Sequence, residues 1–64
     1  MFHIKRTENF EGKPLSGWLT DDGEYGIEDE AKGFNSLSDA EAAIPEERQK
    51  WKSKGKFKYS VDEF

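Results

Sequence analysis

The chain has no cysteine, a single histidine and only two prolines in 64 residues, and it contains no long apolar run. Without cysteine there is no disulfide framework and no thiolate metal site, so a reduced, cytoplasmic setting is expected. No stretch approaches the roughly 20 apolar residues of a membrane helix, and no charged-then-apolar leader pattern is present, so no membrane association is expected. Glycines 12, 17, 23, 26, 33 and 55 are scattered, and no Gly-Lys-Ser/Thr follows them, so a phosphate-binding loop is excluded. None of serines 16, 36, 38, 53 and 60 sits in a nucleophile context such as G-x-S-x-G. The length predicts one domain, residues 1–64. A chain this short buries only about 60% of its unfolded surface, which makes its stability marginal and leaves little room for a ligand pocket.

Charged residues make up 38% of the chain and hydrophobic ones 33%, a balance that leans toward disorder. The aromatic content opposes this. Nine rings (Phe2, Phe10, Trp18, Tyr25, Phe34, Trp51, Phe57, Tyr59 and Phe64) supply 14% of the residues. Each buried ring removes about 150–250 Å² from water, enough for a few to build a small core.

Phe2 and Ile4 alternate with His3 and Lys5, which is strand period over 2–8, and Asn9-Phe10-Glu11-Gly12 breaks it in a hairpin loop with Gly12 at positive φ. Pro14 belongs at a strand start or on an edge. Residues 15–20 form a second strand, and Asp22-Gly23 signals a two-residue turn. That turn pairs Thr20 with Tyr25, Leu19 with Gly26 and Trp18 with Ile27. It also sets Asp21 against Glu24, a like-charge pair that a longer loop relieves.

Ser38-Asp39-Ala40-Glu41 fits a capping box. Ala40, Ile44, Glu47 and Trp51 then make one helical stripe, with Pro45 kinking or splitting the helix and Gly55 ending it. Phe57, Tyr59 and Val61 alternate with Lys56, Lys58 and Ser60 in the clearest strand of the chain. The expectation is an α+β fold of order β-β-β-α-β. It has one small, antiparallel-rich sheet, one kinked helix on one face, and the last strand beside the first.

Catalysis is not expected. His3, the one side chain that ordinarily titrates near neutrality, reads as an exposed or half-packed strand residue. Metal chemistry fares no better. Asp21, Asp22, Glu24, Glu28, Asp29 and Glu30 crowd one segment, but aligning Asp21 as the first ligand of a calcium loop puts Gly23 at a ligand position and Lys32 where the bidentate Glu belongs. No cofactor is implied.

The strongest pattern is charge segregation. Residues 1–31 hold three bases against eight acids, a net of −5, and residues 32–64 hold seven bases against six acids, a net of +1. Within 48–58, Arg48, Lys50, Lys52, Lys54, Lys56 and Lys58 alternate with no acid between them. The acidic block suits a basic groove on a protein partner. The basic block, with Trp51 or Phe57 as a stacking ring, suits nucleic acid. A negative overall charge and the ordinary lysine enrichment at helix ends weigh against the latter, and the helical stripe makes Trp51 a core residue.

The chain begins with Met1, opens its helix with Phe34-Asn35-Ser36-Leu37-Ser38-Asp39-Ala40-Glu41-Ala42 and closes on the strand Phe57–Phe64, the look of a complete small reading frame. In this architecture it resembles small phage- or prophage-encoded proteins, some of which inhibit host machines such as RNA polymerase and others CRISPR effectors. The resemblance implies an inhibitor or modulator that occupies a surface of a larger host protein, and it assigns no functional residue. The leading expectation is therefore a monomeric, non-enzymatic protein-binding module using the six acids. The alternatives are nucleic-acid binding through residues 48–58 and self-association through a strand edge.

Overall fold

A computed structural model describes residues 1–10 and 12–64, with the backbone alone at Asn9, Phe10 and Lys13. Glu11, in the first expected loop, lies outside the described residues, while Gly12 beside it has φ 80°. The elements are β1 (Phe2–Phe10), β2 (Lys13–Leu19), β3 (Tyr25–Gly26), α1 (Leu37–Trp51) and β4 (Phe57–Glu63), with 3-10 turns at Glu28–Glu30 and Lys52–Lys54. The fold is α+β: one antiparallel four-stranded sheet in the order β3-β2-β1-β4, with α1 packed on it. β4 lies beside β1 with Ile4 opposite Val61 and Arg6 opposite Tyr59. Pro14 is the second residue of β2 and is paired on the β1 side only, since β3 covers just Trp18 and Leu19.

The β2–β3 turn differs from the two-residue reading. Thr20 N–H donates to the Glu24 carbonyl at 2.8 Å, Gly23 N–H to the Thr20 carbonyl at 3.1 Å, and Gly23 has φ 84°. This is a three-residue loop whose left-handed position only glycine fills at low cost. The added residue shifts the register, so Leu19 rather than Thr20 pairs with Tyr25, and Trp18 pairs with Gly26. A one-residue shift reverses which face each side chain occupies. Leu19 and Tyr25 turn toward the helix, and Ile27 leaves the sheet, 62% exposed. The longer loop also separates Asp21 from Glu24.

The helix likewise starts earlier than its expected box. Ser36, in extended conformation, is the N-cap and accepts the Asp39 N–H at 3.1 Å, while Ser38 lies inside the first turn. Asp39 then sits where the helix dipole favours an acid. α1 is not split at Pro45 but runs continuously through it. The ring removes one N–H, and the carbonyl freed one turn earlier belongs to exposed Glu41.

The core is small. Ile4, Leu19 and Ala40 are buried, with Phe2, Tyr25, Phe34, Ala43, Ile44, Tyr59 and Val61 packed around them. His3, expected at or near the surface, is buried instead. Its ring stacks on Phe64 at 4.0 Å, and its Nδ1–H donates to the Lys32 carbonyl at 2.9 Å. Segment 31–34 provides that cover because it is held to the sheet: Phe2 and Phe34 exchange both backbone hydrogen bonds, and Lys32 N–H donates to the Leu19 carbonyl at 2.7 Å. No helix among the described residues is long and apolar enough to cross a membrane.

Candidate functional site

The six acids gather at the β3 edge of the sheet. Asp21, Asp22 and Glu24 belong to the β2–β3 turn, and Glu28, Asp29 and Glu30 form the 3-10 turn that follows β3. All six are exposed. Asp22 is committed to its loop: the Thr20 hydroxyl donates to it, which holds its carboxyl below the usual range. The Glu30 carboxyl lies back over Gly26 of β3. The six do not converge, and among the described residues no three His, Asp or Glu side chains are placed to hold a metal ion.

The basic block is divided by the fold. Arg48, Lys52 and Lys56 line a cleft of about 330 Å³ together with Gly55, Phe57 and Tyr59. Lys50 turns the other way and donates to the Gly23 carbonyl at 3.4 Å, beside the acidic turn. Lys54 is exposed outside the cleft, and Lys58 lies on the far face of β4, opposite Thr7. Trp51 is half-buried in the helix–sheet contact, edge-on to Tyr25 at 6.1 Å, so Phe57 and Tyr59 are the rings that face the cations. Because β3 and β4 are opposite edges of one sheet, the acidic rim and the basic cleft lie on opposite sides of the molecule.

Between them lies a cluster that the sequence reading missed. The Arg6 guanidinium carbon sits 3.9 Å from the Tyr25 ring centroid, 4.3 Å from Phe57 and 5.0 Å from Trp51. Glu47, buried on the helix above, accepts from the Tyr25 hydroxyl at 2.8 Å and from Trp51 Nε1 at 3.3 Å through one oxygen. Burial, then the hydrogen bond and negative charge of Glu47, push the Tyr25 phenol strongly up. Burial chiefly raises that of Tyr59. Two signals marked this cluster. Arg6 occupies an inward position of β1, two residues beyond Ile4, and Glu47 interrupts the apolar stripe of α1.

On the open face of the sheet, Trp18 Nε1 donates to Asp62 at 3.1 Å and meets the edge of Phe64 at 6.3 Å. This arrangement covers His3. Comparisons with protein-family models, curated proteins and solved structures found no match to the chain.

Proposed function

We propose that the protein is a non-enzymatic, cytoplasmic protein-binding module of the phage type, which occupies a surface of a larger host protein through its acidic edge. The observation that carries this reading is Ile27, 62% exposed and set in the sequence among the exposed acids Glu24, Glu28, Asp29 and Glu30. An apolar anchor inside a charged rim is the anatomy of a protein interface: the anchor supplies affinity, and the rim supplies steering and partner choice. The partner surface has the complementary form, a small apolar pocket bordered by Lys and Arg.

The burial of His3 supports a non-catalytic role. The only imidazole is stacked under Phe64 with Nδ1 engaged by a backbone carbonyl, out of reach of a substrate. The test is capture of host proteins with the wild type and two folded variants. Glu24→Lys/Glu28→Lys/Asp29→Lys should abolish capture of the partner, and Ile27→Ser should weaken it at least tenfold, about 1.4 kcal/mol. Undiminished capture by both variants removes the acidic edge as the contact surface.

A further inference from the structure

The cleft at the β4 edge belongs to a different chemistry, and we propose that it is a contact site for single-stranded nucleic acid, seating one nucleotide between Arg48, Lys52 and Lys56 and the rings of Phe57 and Tyr59. Three features combine here. The cleft holds about 330 Å³, within the range of small-ligand sites, which begins near about 300 Å³. Its charged lining is entirely cationic. The helix end beside it carries only about half a negative charge, so three cations leave a surplus for a phosphate. Two half-buried aromatic side chains line the same space, and stacking on a ring accepts any base.

The fold builds this grouping from one short stretch, residues 48–59, that turns back on itself. Arg48 and Lys52 stand one turn apart at the end of α1. The chain then reverses at Gly55, whose φ of 145° suits glycine, and brings Lys56 and Phe57 back to face them. Phe57 is held from the sheet side by Arg6 at 4.3 Å and edge-on by Tyr59 at 6.4 Å, so the platform is already in place. Lys54 and Lys58 do not line the cleft. Cations alone would suit any polyanion. The paired rings favour a strand that offers a planar base beside every phosphate.

The experiment measures fluorescence anisotropy of a labelled oligothymidylate strand at low and rising salt. It compares the wild type with two triple variants of equal net charge, each checked for folding by circular dichroism. Arg48→Gln/Lys52→Gln/Lys56→Gln should lose roughly tenfold or more in affinity, and each neutralised contact should flatten the logarithmic salt slope by about 0.7. Lys50→Gln/Lys54→Gln/Lys58→Gln should stay within about threefold. Phe57→Leu should weaken binding while leaving the slope unchanged, because it removes a stacking face and no charge. Absence of binding at low salt, equal losses in the two triples, or competition by free thymidine monophosphate as effective as that of the strand would overturn the proposal. The Glu24→Lys/Glu28→Lys/Asp29→Lys variant should bind the strand at least as tightly as the wild type, so the two sites stand or fall separately.

Discussion

The Tyr25 hydroxyl donates to Glu47 Oε1 at 2.8 Å, and the same oxygen accepts from Trp51 Nε1 at 3.3 Å. One carboxylate on α1 thereby fixes the two-residue edge strand β3 and the indole at the helix end. Because Ile4 is the one large side chain fully buried among the described residues, a polar tie of this kind is a substantial part of what orients the helix.

Glu47→Ala should accordingly destabilise the protein by about 2–3 kcal/mol, since it leaves a phenol and an indole N–H without their acceptor. Alanine is the better helix former, so the loss is not one of propensity. Glu47→Gln keeps an acceptor oxygen and should lose markedly less. Urea denaturation followed by far-ultraviolet circular dichroism separates the two, and equal midpoints would show that the shared oxygen is not what matters.

Arg6 lies between the rings of Tyr25 and Phe57, and its Nη1 is buried without a hydrogen-bond partner among the described residues. The guanidinium contributes as a flat, weakly hydrated plate more than as an ion. Arg6→Lys, conservative in charge, should therefore be more destabilising than Arg6→Met, which fills the slot and carries no orphaned donor. Thermal melts of the two variants decide the order. A more stable lysine variant would show that charge, not stacking, is the dominant contribution.

Much of the architecture was legible because it is written in local periodicity. Phe57, Tyr59 and Val61 alternate as a half-buried strand must, and Ala40, Ile44 and Trp51 recur at helical spacing. Where the reading slipped, two local signals competed. Asp22-Gly23 fits a two-residue turn, but the Thr20 hydroxyl bonds to Asp22 and draws one more residue into the loop. Ser36 and Ser38 both suit an N-cap, and only the backbone geometry distinguishes them. The Arg6 cage was only partly legible: Arg6 and Glu47 stand out at inward positions, but its rings come from residues 25, 51 and 57, and no spacing rule joins them. The basic block was legible as charge but not as a site, because the helix and strand send Lys50 and Lys58 away from Arg48, Lys52 and Lys56.

Gly23 gives a test of the turn register itself. Its φ of 84° is strained for any side chain, and an added Cβ would lie 3.0 Å from Lys50 Nζ. Gly23→Ala should lose about 1–2 kcal/mol. Gly23→Asn should lose less, because asparagine tolerates the left-handed region. Amide exchange at position 23 should be faster in the alanine variant than in the wild type, since that N–H closes the turn onto Thr20. A two-residue turn would place glycine without that hydrogen bond and show no such change.

The two tyrosines make stability fall in alkali, and the sign follows from their environment. In the unfolded chain a phenol ionises near its ordinary value of 10.0, whereas in the folded protein burial holds Tyr25 and Tyr59 above it. The unfolded state therefore loses protons first as pH rises. The stabilisation is complete below pH 10.0 and declines progressively above it. Thermal melts across this window should show a falling midpoint, and phenolate absorbance should appear together with unfolding rather than before it. Tyr25→Phe should be less stable at neutral pH by about 1 kcal/mol, through the lost hydrogen bond to Glu47. Its stability should depend less steeply on pH in alkali, because one of the two groups that drive the decline is gone. Parallel alkaline slopes for the wild type and Tyr25→Phe would mean that Tyr25 ionises as freely folded as unfolded. That result would be incompatible with a phenol closed in between Glu47 and the aromatic rings.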